Sequence, residues 1–550
     1  MSFAGTRPAP EIRPRSTLVE LLAQPGVFFL FLAAVVLCQW MSKAYTAPFG
    51  GYPDEPGHYM TALMIRDYFL SGFSGSPLAF AERYYVHYPA VTFGMWGPVF
   101  HLLEAFWLLV FSESRVSIML LIAIIATCFA WSAQWMIGRV FGRLRGILVG
   151  VSILLIPAFQ AYSATVMADL LTGTLIMWAA YSWGRYLETE RPVMAIRFGV
   201  LATVALLTKA NAGALALLPI PAALLAGHAA LLRRREFWIP AGLAALVAGP
   251  WYVFYVWLVL DISAIPVTLA IASSYVVSGL GLFGIATIPV VIAGMAAGFF
   301  KKGQSVPSRP LWAVAVSMSV GFIAYYCMAP GGFESRYILM AAPWIGYLMI
   351  AGAEWMAAGF APSHSKAIST GLIAAVALYG AVTLRFTPKP QLPYAEIAYD
   401  LVCRRDLPQT IFLVSSEATV ETIPVAEIAM RDRHRPHHFV LRASKILARM
   451  NWNGDKYESR VSDQAQVREI LREMGVSIVI IDTTPAPAGR HWLHHQLLRA
   501  VVAADPQWRL TRRYGPVEVY EFQGVVKMPE KIRVDVPYTL RRTLEAPTGK

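Results

Sequence analysis

Charge is sparse in this chain and cysteine sparser. Only 15% of its 550 residues are charged, and four are cysteine. Cys38, Cys128 and Cys327 fall in or beside apolar runs, which leaves Cys403 alone in polar sequence. That excludes a disulfide framework, and the lack of any Cys-x-x-Cys pair excludes a cysteine-based metal or redox centre. Hydrophobic residues fill the space: they make up 56% of the chain, and the mean hydropathy is +0.50. This is the composition of an integral membrane protein. The net charge of +13 would suit a nucleic-acid partner, but the basic residues sit in short clusters between apolar runs. There they read as topology signals, and no nucleic-acid partner is expected.

With about 20 residues needed per span, apolar runs lie near 21–42, 116–137, 146–162, 169–184, 196–208, 213–232, 237–260, 276–300, 311–328, 338–357 and 367–384. A further run, 93–111, contains His101 and Glu104. Lys and Arg collect on the cytoplasmic side. If Arg7, Arg13 and Arg15 start inside and 93–111 does not cross, every basic cluster falls on that side: Arg139–Arg145, Arg185–Arg197, Arg233–Arg235, Lys301–Arg309 and Lys366. The 93–111 run is therefore expected to be an interfacial helix. The expected fold is a multi-pass α-helical membrane protein of about eleven spans plus interfacial helices. It divides into a cytoplasmic basic tail (1–20), a transmembrane domain (21–385) with an outer loop (43–115), and a C-terminal soluble part. The first run is read as an uncleaved anchor, because "AYTA" is a poor cleavage site.

This topology brings the polar residues that interrupt the apolar runs to one outer face: Asp54 and Glu55, Asp169, Lys209, and Glu334 with Arg336. Ionisable groups at membrane depth are costly and mark a functional site by default. Each also has a structural reading. Glu55, before Pro56, suits a helix N-cap, which explains one carboxylate and not its neighbour. Asp169 and Lys209 can cap span ends, and Glu334 and Arg336 can pair with each other. His58 lies one turn after Asp54, where a hydrogen-bond partner is the commoner role than a metal ligand. "GLGLFG" (279–284) matches a dinucleotide fingerprint by letter but lies in an apolar segment without the strand that the motif needs. His491 and His495 have helical spacing but no third ligand in sequence.

The stretches "DEPGHYMTALMI", "VFGRLRGILVGVSILLIPAFQAYSATVMADLLTGTLIMWAAY", "GVLATVALLTKANAGALALLPIP" and "ESRYILMAAPWIGYL", in this order and at this spacing from the spans, resemble the GT-C glycosyltransferases. Within them the likeness is to the superfamily of protein O-mannosyltransferases and lipid A aminoarabinose transferases, over about residues 20–385. The resemblance implies a polyprenyl-phosphate-linked sugar as donor and Asp54 as catalytic base. It also implies that Lys209, Arg336 and Tyr337 handle the donor phosphate. Relatives often carry a double proline in the first outer loop, where this chain has Pro89 followed by Ala90.

The chemistry of the residues agrees. A transferase facing outward has no nucleotide sugars to draw on, and a lipid-linked sugar meets that need. A partly desolvated carboxylate can take the acceptor hydroxyl proton, and cations can meet the charge gathering on the leaving phosphate. Attack opposite that phosphate predicts inversion. Glu55, His58, Asp169 and Glu334 are expected to line the substrate site. A divalent metal would help but is not required, and none is assigned. The acceptor is a lipid, a polysaccharide or a protein, membrane lipids surround the chain, and the expected location is a bacterial inner membrane with the active face periplasmic. The competing class is a transporter or flippase of lipid-linked sugars, and a third is an envelope scaffold.

After residue 385 apolar runs shorten and charges become frequent. "TIFLVSS", "HHFVLRAS", "VSIVIIDTT" and "VEVYEF" read as strands, and "SDQAQVREILREMG" and "HWLHHQLLRAVVAA" as amphipathic helices. A periplasmic α/β domain is expected over 386–525, followed by a loosely ordered basic tail, 526–550.

Overall fold

Among the described residues of the computed structural model every strand lies at or after Ile411, and the elements before it are helices. The structure describes residues 25–258, 266–300, 306–328, 332–405, 407–451, 454–485, 490–536 and 540–548. The expected cytoplasmic tail and the Lys301–Lys302 pair lie outside the described residues. Among the described residues four helices are long and apolar enough to cross a membrane: Arg115–Phe141, Arg235–Leu258, Arg309–Met328 and Pro362–Val382. Two bent pairs raise this to six, namely Arg143–Leu154 with Pro157–Ser163 at 69°, and Leu269–Leu280 with Ile285–Ala297 at 76°. Eleven apolar runs in sequence thus do not become eleven long helices, because several are broken or shortened. Pro157 opens a new helix after one break. The "GLGLFG" stretch forms the other, where Gly284 takes a φ of 117° that side chains avoid.

The doubtful run contains the helix Pro98–Val110. Thirteen residues extend about 20 Å, short of a hydrocarbon core of about 30 Å. One face packs on the helix Glu55–Leu70, while Leu102, Phe106 and Val110 stay exposed.

The C-terminal part is built on a five-stranded sheet. Its strands are β1 (Ile411–Ser415), β2 (Phe439–Arg442), β5 (Ile478–Asp482), β6 (Trp508–Tyr514) and β7 (Val517–Phe522), with the short pair β3 (Ala448–Arg449) and β4 (Glu458–Ser459) apart. The order is β2-β1-β5-β7-β6. The first three are parallel, with Leu413 between Leu441 and Val479, and β7 and β6 are antiparallel. β1 is buried at every position, as expected of a parallel strand covered on both faces. The arginine-rich sequence of β6, "WRLTRRY", hides it from an apolar-run reading.

The segment read as a loosely ordered tail contains a hairpin, β8 (Lys531–Val536) with β9 (Arg542–Pro547). Ile532, Val534 and Val536 alternate with charged or polar neighbours, and their apolar faces are buried. The hairpin lies on the outer-loop helix Pro77–His87. Arg542 pairs there with Glu82, and the Leu540 N–H donates to the Leu258 carbonyl.

A belt of buried polar contacts ties the outer loop to the sheet domain. Arg115 meets Glu427, Arg435 lies 3.1 Å from Asp67, and the Tyr88 hydroxyl donates to Asp432.

Candidate active site

The two carboxylates at the start of the helix Glu55–Leu70 have opposite surroundings. Glu55 is fully buried and its oxygens are occupied: Lys389 Nζ at 2.7 Å, the Val166 N–H at 3.0 Å and the Gly51 N–H at 2.8 Å. No side chain fits at Gly51, since a Cβ there would stand 2.7 Å from Thr165 Oγ1. Glu55 is therefore a structural tie between the outer loop and residues far along the chain, and it does not face the cleft. Asp54 occupies the N-cap position, but its side chain caps nothing. About a quarter of that side chain (24%) is exposed, and it lines a cleft with Gly57, Trp96 and residues of the sheet domain.

Arg336 Nη1 stands 3.5 Å from Asp54 Oδ2. The guanidinium is held in an aromatic clasp, 4.1 Å above the Tyr52 ring and 5.0 Å above that of Tyr337. Its Nη2 donates to the hydroxyls of both tyrosines, at 3.1 and 3.3 Å. The Tyr52 hydroxyl donates in turn to Glu334 at 2.6 Å. Arg336 Nε and Nη1 are buried and make no hydrogen bond among the described residues; they face the Glu334 carboxylate at 3.9 Å and that of Asp54 at 3.5 Å.

Lys209 follows the helix Pro192–Leu206 in extended backbone. Its Nζ lies 2.7 and 2.9 Å from the two oxygens of Asp169, the first residue of the helix Asp169–Thr189, and 5.7 Å from the Tyr337 ring centre. Asp54, Lys209, Asp169, Glu334, Arg336 and Tyr337, scattered across the sequence, thus converge. Burial pushes the Asp54 carboxyl above the usual carboxylate range, against the pull of Arg336 and Lys209.

His58 lies apart from this cluster. It is fully buried, stacked on Trp96 at 3.9 Å, with Nδ1 3.0 Å from Nε2 of His101. Among the described residues no three His, Cys, Asp or Glu side chains converge as a metal site. His495 bonds to Ser415 instead, at 2.8 Å.

Sequence reasoning missed Tyr52, Lys389 and Tyr162, whose ring centre lies 5.8 Å from the Arg336 guanidinium. The tyrosines carry no charge signal, although Tyr52 stands two residues before Asp54, and Lys389 gives no local sign that it belongs with Glu55.

The fold has known counterparts. The dolichyl-phosphate-mannose-protein mannosyltransferase family matches residues 96–255. No curated protein sequence matches the chain. Among solved structures, the fold is similar to that of ArnT from Cupriavidus metallidurans in the apo state, at 12% identity and a TM-score of 0.59, over 90% of this chain and 98% of that one. The same protein bound to undecaprenyl phosphate matches with the same identity, coverage and TM-score. The mannosyltransferase family match thus covers part of the helical region, and the likeness to the ArnT fold runs along most of the chain.

Proposed function

We propose that the protein is an inverting glycosyltransferase that moves a sugar from a polyprenyl phosphate to an acceptor hydroxyl, at the outer face of a bacterial inner membrane. The observation that carries this reading is the partly exposed Asp54 beside an Arg336 whose buried Nε and Nη1 make no hydrogen bond. Undecaprenyl phosphate is bound by the similarly folded ArnT, which supports a donor of that chemistry here.

In the proposed reaction the acceptor oxygen attacks the anomeric carbon while its proton passes to an Asp54 carboxylate oxygen. The bond from that carbon to the phosphate oxygen breaks as the new bond forms, and the sugar inverts. Charge gathers on the departing lipid phosphate, which the idle Nε and Nη1 of Arg336 receive in a water-poor setting where such donors act strongly. Lys209 is already engaged with Asp169, so its part is to hold the positive field and to fix the Tyr337 ring edge of the clasp. Tyr52 and Glu334 orient the guanidinium. A transporter would need the same charges to bind and release without a base, and the exposed carboxylate next to the cation favours chemistry.

The test is mass spectrometry of envelope glycolipids, polysaccharides and glycoproteins from cells lacking this chain, complemented with the native protein or with Asp54→Asn at matched expression. A product short by one sugar that only the native protein restores is the expected result. Equal restoration by both forms would remove Asp54 as base.

A further inference from the structure

The cleft that Asp54 lines has a second wall. It is made by the sheet domain: Thr419 and Thr422 near the start of the helix Thr422–Arg431, Arg442 at the end of β2, and Lys445 just after it. Tyr85, Phe93 and Trp96 of the outer loop provide an apolar, aromatic side between the two. Concave sites of this make-up, mostly apolar with a few placed polar groups, are the usual form of a small-ligand site.

The two cations on this wall differ in what they have left to give. Arg442 is spent: its Nε lies 3.2 Å from Glu421, Nη2 donates to the Ala418 carbonyl at 2.7 Å, and Nη1 to the Pro89 carbonyl of the outer loop at 3.3 Å. Lys445 donates to one backbone carbonyl, that of Met450, at 3.0 Å. Among the described residues no carboxylate lies within ion-pair distance of it. A half-buried ammonium facing a cleft without a counter-charge is costly to keep. Arg336, by contrast, sits by Asp54 on the other side, so the two cations do not serve one anion.

We propose that this wall is an acceptor subsite for an anionic saccharide, in which Lys445 holds a phosphate or carboxylate of the sugar while one of its hydroxyls faces Asp54. The word acceptor rests on the transferase reading above; the anion site itself does not. The aromatic side suits the apolar face of a sugar ring, and Thr419 and Thr422 offer hydroxyls to its rim. The position of Lys445 is also electrically prepared. Burial and the nearby charge of Arg442 and Arg460, opposed by Glu421, hold its ammonium down to about 7, so an arriving anion raises its proton affinity as it binds.

The experiment needs neither donor nor turnover. The purified full chain in detergent is labelled with limiting acetic anhydride across a pH series, and acetylation at Lys445 is followed by peptide mass spectrometry. Glucose 6-phosphate, glucuronate and glucose serve as probes, at roughly millimolar concentration as suits a single weak subsite. Protection by an anionic probe, with the labelling midpoint moved to higher pH, is expected. Protection by the phosphate alone or by the uronate alone identifies which anion the site takes. Equal protection by glucose, or none by either anion, overturns the proposal. Direct binding of the protecting probe should weaken about tenfold or more in Lys445→Met and return in Lys445→Arg. Unchanged binding in Lys445→Met also overturns it. Because Asp54→Asn abolishes transfer without entering this assay, failure of the transferase reading and failure of the anion site are told apart.

Discussion

Two charged regions of the molecule are built by opposite rules. In the belt between the outer loop and the sheet domain the carboxylates are closed, although Nε of Arg66 and of Arg115 makes no hydrogen bond: Glu427 receives Arg115, Arg431 and the Phe49 N–H, Asp67 receives Arg66 and Arg435, and Glu55 receives Lys389. On the cleft floor charges are left open. The Asp54 side chain stays partly exposed, and Arg336 keeps two buried nitrogens without a hydrogen bond. Burial alone therefore does not identify a site, since Glu55 is the more buried of two adjacent carboxylates and the less reactive in position. The separating quantity is how much hydrogen-bonding capacity remains.

The sharpest way to break this contrast is Asp54→Asn. It keeps shape and removes the base, and is expected to lower transfer by roughly 10²–10⁴, measured as glycosylated product per folded protein, with the unfolding temperature unchanged. Glu427→Ala does the reverse. Removing one partner from a buried pair costs about 3–5 kcal/mol, so unfolding in detergent should shift strongly while the folded remainder stays active. A loss of activity without a loss of stability would move the belt into the site. Arg336→Gln removes the idle donors and should cost roughly 10²–10³ in kcat, read in single-turnover transfer.

The pH profile sharpens the same point. In the proposed reaction Asp54 acts deprotonated, and burial raises its carboxyl. The rate should therefore rise with pH through a midpoint above the ordinary carboxylate range and fall as pH drops below it. A midpoint at the ordinary value would mean that the carboxylate is solvated. The smallest effect is expected from Arg542→Ala, which opens the exposed pair with Glu82. Surface pairs contribute about 0–1 kcal/mol, visible as a slight change in denaturant midpoint.

Much of this arrangement was legible in the sequence, for physical reasons. Charge in an apolar chain is conspicuous, so Asp54, Asp169, Lys209, Glu334 and Arg336 stood out before any contact was known. Strands with apolar runs, β1, β2, β5 and β7, were equally plain. What stayed hidden was whatever depends on distant partners or on weak signals. Glu55 and Asp54 look alike in sequence, and only the approach of Lys389 and of the Val166 N–H separates them. Tyr52 carries no charge to betray its stacking on Arg336. Hydropathy also counts apolar residues without seeing bends, so the number of runs exceeded the number of long helices.

The β8–β9 hairpin gives the cleft an unusual dependence on the order in which the chain is made. Val536 and Asp54 line the same cavity, one from the hairpin and one from the first outer loop. Contacts of such sequence separation form late, because the intervening chain must be ordered first. The helical part can thus be inserted and packed while the cleft is still an open trough. A nick in the segment between β7 and β8 would untie Val536 from the cleft while the sheet-domain wall of Thr419, Arg442 and Lys445 stays in place.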